Sequence, residues 1–284
     1  MICAWQELLA VLPAWMRNEV DELGSKNLQE LRLRINAPPE LVFSENSLWL
    51  SHNIAEEDLN YTVNMACKYS PWTACSVAQG YLTIVGGHRM GLCGEAVLQE
   101  NHMTGIKNIS SLCIRVARDF PGCAEKGASL SGSILILAPP GWGKTTLLRD
   151  LIRQLEKQEH ICVVDERGEL FPEGISRGKR IDVLSGCSKQ DGISMLLRTM
   201  GPSCIAVDEI TDHQDTQALM QAANCGVRLL ATAHAMSVSD FRQRHIYRPL
   251  LENRIFDWLL VLKKDKTYIL ERMAQHCSNG SVQY

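Results

Sequence analysis

Ser133-Ile134-Leu135-Ile136-Leu137-Ala138-Pro139-Pro140-Gly141-Trp142-Gly143-Lys144-Thr145-Thr146-Leu147-Leu148 is the stretch that decides the fold. The apolar run from Ile134 to Ala138 reads as a buried strand. A Pro/Gly turn follows, and Gly143-Lys144-Thr145 opens a helix. Strand, glycine-bearing turn and helix in that order are the layout of a phosphate-binding loop. The turn aims successive N–H groups into one concavity, a nest for anionic oxygens. The helix adds its positive dipole end at the same place. The nucleotide-binding stretch is then Ala138, Pro139, Pro140, Gly141, Trp142, Gly143, Lys144, Thr145 and Thr146. Lys144 reaches the β- and γ-phosphates and the Thr145 hydroxyl holds Mg²⁺, which makes ATP and Mg²⁺ the expected cofactors.

One position departs from the pattern. The motif has glycine five residues before Gly143, and this chain has Ala138. Glycine is required there only if the backbone needs positive φ or very close approach, so a methyl group is a small departure.

A second segment supports the first. Cys204-Ile205-Ala206-Val207-Asp208-Glu209 is an apolar strand ending in two acids. In ATPases with such a loop, this strand is expected beside the first one. Asp208 would bind Mg²⁺, often through water, and Glu209 would orient or deprotonate the attacking water. A strand ending in two acids is common at turns; following a phosphate loop, it is specific.

The 284 residues suffice for two domains and a sizeable core. A net charge of −3 without a strongly basic stretch speaks against electrostatically driven nucleic-acid binding. The densest cationic cluster, Lys263-Lys264-Asp265-Lys266, reads as a hairpin tip. Eleven cysteines without a Cys-x-x-Cys pair read as small buried hydrophobes in a reducing compartment. The N-terminus lacks a basic leader region, and no apolar run reaches membrane-spanning length. The expectation is a cytoplasmic protein that meets membranes through partners.

Residues 1–118 read as a small α+β domain. Ile2, Trp5, Leu8, Leu9 and Leu12 recur at helical spacing until Pro13. Leu28–Ile35 alternates as a strand, with Arg32 and Arg34 on one face. Leu41-Val42-Phe43 starts another strand, 54–69 looks helical, and 80–85, 94–98 and 112–117 suggest a meander. Residues 119–132, rich in Gly and Ser, read as a linker. From 133 to 284, strands near 134–138, 161–165, 181–184, 203–208 and 227–232 alternate with helices, as in a parallel sheet covered on both faces. A hairpin over 256–262 and 267–271 ends the pattern.

Several strings are recognisable together. They are A-P-P-G-W-G-K-T-T at 138–146, V-V-D-E-R-G-E-L at 163–170 and A-T-A-H-A at 231–235. The N-terminal strings are L-R-L-R-I-N-A-P at 31–38, G-G-H-R-M-G at 86–91 and I-R-V-A-R at 114–118. From about residue 25 to 272 the chain resembles the stage III sporulation protein AA family of endospore-forming bacteria. That family is similar to the hexameric ATPases of type II and type IV secretion and pilus systems. The resemblance implies an α/β fold, a P-loop NTPase core with a RecA-like, secretion-ATPase-like parallel sheet behind a small α+β domain. It implies that Glu166 and Glu169 belong to an acidic box near the metal and γ-phosphate. It implies that His234 falls at a His box, where it would sense the γ-phosphate or link it to motion. Gly168 stands where the family often has Ser.

Arg32, Arg34, Arg89, Arg115 and Arg118 are either solvated strand faces or an interface reaching a neighbour's nucleotide, as arginine fingers do. Arg89, flanked by glycines, is the favoured trans candidate; Arg228 and Arg254 are further candidates. The implied function is an ATP-hydrolysing motor, assembled as a homo-oligomeric ring, that energises or gates the channel between mother cell and forespore through membrane channel proteins. The expected catalytic residues are Glu209, Lys144, Glu166 and His234. Two other readings stand beside it: a nucleic-acid-dependent ATPase, disfavoured by the charge, and a nucleotide-sensing scaffold without turnover, disfavoured by Glu209.

Overall fold

A computed structural model describes residues 2–67, 80–99, 102–172 and 174–273. The chain divides into two compact units, one of Met1–Asp119 with Pro172–Ser176 and one of Phe120–Phe171 with Arg177–Tyr284.

The first unit is a six-stranded antiparallel sheet of order β3-β2-β1-β6-β5-β4. Its strands are β1 (Glu30–Arg34), β2 (Glu40–Val42), β3 (Ser47–Trp49), β4 (Tyr81–Ile84), β5 (His88–Gln99) and β6 (His102–Arg115). Leu31, Leu33, Leu82, Met90 and Ile114 are buried with Leu8, Met16, Val20 and Leu59 from helices α1 (Trp5–Val11), α2 (Ala14–Gly24) and α3 (Glu56–Cys67), and with Leu12, which caps α1. Arg32 and Arg34 take the opposite face of β1, as its alternation requires. The helix expected over 54–69 is α3; residues 68 and 69 lie outside the described residues.

Two features differ from the sequence reading. Pro13 ends α1 but also precedes α2 immediately, at its N-cap. A proline's missing N–H costs nothing where a helix begins. The meander is not three short strands. β5 and β6 form one long hairpin whose β5 residues Cys93–Gln99 are exposed. At its base, His88 is fully buried. Its Nδ1 accepts from the Ala117 N–H at 3.1 Å, so its Nε2–H donates to the Ala4 carbonyl at 2.8 Å. Burial lowers its pKa, which keeps the ring neutral. The G-G-H-R string thus carries a structural histidine.

The second unit is a seven-stranded sheet of order β13-β12-β7-β11-β10-β8-β9. It comprises β7 (Ile134–Leu137), β8 (Ile161–Asp165), β9 (Ile181–Ser185), β10 (Cys204–Glu209), β11 (Arg228–Ala233), β12 (Trp258–Leu262) and β13 (Tyr268–Arg272). All pairings are parallel except β12–β13. The central strands are buried on both faces, which is why they read as continuous apolar runs. On one face Ile134, Ile136, Val163, Ala206 and Leu230 pack with Leu147, Leu148 and Leu151 of the helix after the loop. On the other, Leu135, Leu137, Val164, Ile205 and Val207 pack with Ile193, Leu196, Ala218 and Leu219. The flanking helices are α4 (Glu125–Ala128), α5 (Lys144–Leu155), α6 (Lys189–Thr199), α7 (His213–Asn224), α8 (Val238–Gln243) and α9 (Arg248–Glu252). The stretch 119–132 therefore contains a helix, α4, and the Asp150 carboxylate accepts its preceding Gly122 and Ala124 N–H groups at 2.9 and 2.7 Å.

One expectation is corrected. The strand ending in Asp208-Glu209 does not lie beside β7. β11 runs between them, pairing with β7 at Ile134↔Leu230 and with β10 at Cys204↔Arg228. The intervening strand places the residues after Ala233 between the loop and the acids. Among the described residues no helix is long and apolar enough to cross a membrane.

Candidate functional site

Because β7, β8, β10 and β11 are parallel, their carboxyl ends share one edge of the sheet. This is the edge where open α/β sheets bind ligands. The loop after β7, the acids ending β8 and β10 and the histidine after β11 are thereby gathered from sequence-distant segments.

The loop has the backbone its glycines allow. Gly141 has φ 74° and Gly143 φ 100°, and a Cβ on either would meet nothing within 4 Å. Conformation, not space, reserves these positions for glycine. Ala138 is not among the non-glycine residues of positive φ, and it is 1% exposed in the core. Its N–H continues the ladder to the Ala233 carbonyl. The alanine therefore costs the loop no geometry. Pro139 offers its carbonyl inward, Pro140 is exposed, and Trp142 is partly buried against the core. Thr145 and Thr146 lie in the first turn of α5.

Lys144 is 7% exposed. Its ammonium donates to the Pro139 carbonyl at 3.3 Å and to His234 Nδ1 at 2.8 Å. An ammonium only donates, so Nδ1 accepts and the ring proton sits on Nε2. That Nε2 lies 2.6 Å from Glu209 Oε1. Lys144, His234 and Glu209 thus form a continuous chain, with the imidazole as bridge. Burial lowers the Lys144 pKa, and the charges of Glu209 and Asp208 partly restore it.

The Thr145 hydroxyl donates to Asp208 Oδ1 at 3.4 Å. Burial, then the carboxylates of Glu169, Asp165 and Glu209, push the Asp208 pKa up to about 7 against the pull of Lys144. This concentration of negative charge next to a hydroxyl fits a divalent cation. No group of three or more His, Cys, Asp or Glu among the described residues is arranged to hold a metal alone. The buried lysine and the positive-φ loop fit a nucleotide's phosphates.

The acidic segment divides by role. The Asp165 carboxylate accepts from the N–H groups of Glu169, Leu170 and Phe171 at 2.9, 2.9 and 3.1 Å. It folds the loop, and Arg149 of α5 donates to the Glu169 and Leu170 carbonyls from behind. Glu166 lines a small hollow with Arg167, Lys189, Asp208, Glu209 and Thr211. The structure thus brings together Lys144, Thr145, Asp208, Glu209, His234 and Glu166. Arg89 belongs to the other unit, its guanidinium 4.5 Å from the Tyr81 ring centroid. Lys189, buried at α6's first position, has no signal in the sequence reading. Lys266 at the β12–β13 turn, which donates to the Trp142 carbonyl at 3.1 Å, carries only a charge-cluster signal.

A family model described as sporulation stage III, protein AA, matches residues 5–270. The chain belongs to that family. It is 37% identical over 282 residues to the stage III sporulation protein AA of Bacillus subtilis strain 168, covering 92% of this chain and 91% of the relative. Its fold is similar to that of the Legionella pneumophila ATPase DotB, with TM-score 0.61 and 18% identity, covering 91% of this chain and 79% of DotB. The pilus retraction motor PilT, solved with bound ADP, gives TM-score 0.61 and 15% identity over 95% of this chain and 82% of PilT. This chain thus shares its α/β fold with the ATPase DotB and the pilus retraction motor PilT.

Proposed function

We propose that this chain is a Mg²⁺-dependent ATPase motor of the secretion and pilus type, which energises or gates a mother cell–forespore channel from the cytoplasmic side. The observation that carries the reading is the convergence of Lys144, Thr145, Asp208 and Glu209 at one sheet edge. Support also comes from the fold shared with proteins described as an ATPase and as a retraction motor with ADP. The loop amides and Lys144 hold the phosphates. Thr145 and Asp208 hold Mg²⁺, which supplies charge neutralisation at the phosphate oxygens when bound. Glu209 accepts a proton from the attacking water, oriented by His234, and Glu166 faces the same hollow. Catalysis is positioning and charge stabilisation, with little covalent work for the protein. The chain works as a homo-oligomeric ring in which Arg89 of one copy reaches the nucleotide of the next, a head-to-tail arrangement.

Phosphate release from ATP by the parent protein and by Lys144→Ala tests the reading. The variant should lose turnover while remaining folded, as read by a cooperative melting transition. Equal turnover in both would refute the phosphate-loop assignment. Mixing Lys144→Ala with Arg89→Ala extends the test to the ring. Partial recovery is expected, because some interfaces then combine an intact loop with an intact arginine. No recovery in confirmed mixed assemblies would remove Arg89 from the site.

A further inference from the structure

Lys189 is the least expected cation of the second unit. It opens α6, where the helix dipole disfavours positive charge. It is also 5% exposed, and an unpaired ammonium is not buried at such a site. Two carboxylates compensate it. Glu166 Oε2 lies 2.6 Å from its Nζ and Asp215 Oδ2 lies 3.3 Å away. Burial opposes the charge, but these partners outweigh it and the pKa is raised.

The two partners are not equivalent. Asp215 is itself buried, in the first turn of α7, and its carboxylate accepts from the Thr211 N–H at 2.8 Å and the Thr211 hydroxyl at 3.0 Å. Asp215 is fixed by the segment that follows Glu209. Glu166 is half-exposed and lines the hollow that Asp208 and Glu209 also line. Asp215 is therefore the anchor, Lys189 the link, and Glu166 the group whose place is set.

We propose that Lys189 is a positioning residue of the hydrolytic site, holding the Glu166 carboxylate toward Asp208 and Glu209. The inference rests on the ATPase reading and adds to it a residue that neither the loop nor the acidic motifs mark. Without the ammonium, Glu166 loses the partner that holds it over the hollow among the described residues, and its carboxylate can turn into solvent. Nucleotide binding, which belongs to the loop on β7, does not use this linkage.

The test compares the full-length parent with Lys189→Met, Lys189→Arg, Glu166→Gln and the double variant Lys189→Met/Glu166→Gln. Turnover, KM for ATP, affinity for a fluorescent ADP and melting temperature are measured for each. Lys189→Met should lower kcat about tenfold or more, the usual scale for losing a group that orients an active-site ligand. Its ADP affinity and KM should stay within about threefold of the parent, a spread of under ~0.7 kcal/mol. Lys189→Arg should recover part of the turnover by restoring the charge.

The double variant should be no slower than Glu166→Gln, because groups acting through one another are not additive. Parent-like kcat in Lys189→Met overturns the proposal. So does a double variant whose loss is the product of the single losses. A loss of kcat that tracks a loss of melting temperature across all variants makes Lys189 structural only and also overturns it; Lys189→Arg, which keeps the ion pairs, decides this if Lys189→Met fails to fold. A parent without turnover overturns the ATPase reading, and this proposal with it.

Discussion

Removing His234 should tighten ADP binding and slow ATP turnover in the same variant. The imidazole holds the Lys144 ammonium at 2.8 Å and the Glu209 carboxylate at 2.6 Å. For Lys144 to reach a phosphate, its bond to Nδ1 must break. A hydrogen bond with a charged partner contributes roughly 1.5–3 kcal/mol. His234 is half-buried, so water recovers part of this when the lysine leaves. A net opposition of about 1.4 kcal/mol is reasonable, which is tenfold in affinity. His234→Ala should therefore bind ADP about tenfold more tightly. ADP is the proper probe because it needs the lysine but makes no γ-phosphate contact. Turnover should fall, because Glu209 loses the group that holds it. Fluorescent-ADP titration and phosphate-release kinetics on one preparation give both numbers. Unchanged or weaker ADP binding would show that the imidazole does not hold the lysine back.

Two further outcomes follow from Asp208 and Ala138. With its pKa raised to about 7, Asp208 is increasingly protonated below that pH, and a metal ligand must be ionised. The apparent Mg²⁺ affinity in nucleotide binding should drop as pH falls from 8 to 6, by up to about tenfold per unit below 7. Asp208→Asn should flatten that dependence. The same variant should raise the melting temperature of the nucleotide-free protein, most above pH 7 and fading toward pH 4, because it removes a carboxylate that is costly to ionise when buried. An unchanged pH dependence would place the titrating group elsewhere. Ala138→Gly should leave nucleotide affinity within about tenfold of the parent. It should destabilise the fold by about 1–2 kcal/mol, from lost apolar burial and added chain entropy, read by denaturant unfolding. A large gain in affinity would mean that the loop needs glycine there after all.

The parallel core was legible because strands buried on both faces are uninterrupted apolar runs, as in 134–137 and 161–164. The acids and the histidine were legible because each ends such a run. The order of the strands was not, since nothing local records that β11 separates β7 from β10. The long β5–β6 hairpin was hidden by Gly91, Gly94 and Gly105 and by its exposed outer half, which lacks the alternation of a half-buried strand. Of the site, Lys189 was illegible for a related reason. Its partners Glu166 and Asp215 stand on other elements, and a lysine at a helix start reads as solvated until they are seen beside it.

The position of β7 has a consequence for how the protein is made. Its two neighbours, β11 and β12, lie roughly a hundred residues further along the chain. At ~5–20 residues per second, the loop strand leaves the ribosome some 6–25 s before Leu262 does. Until β11 emerges, β7 has neither of its hydrogen-bonding neighbours, whereas the pairing partners of β1, β5 and β6 in the antiparallel unit have already been made. The nascent chain therefore carries the whole antiparallel sheet of the first unit and an unpaired apolar strand at the same time. The nucleotide loop is framed only once β11 and β12 have been made, so a product truncated before them holds the motif but has no framework to present it.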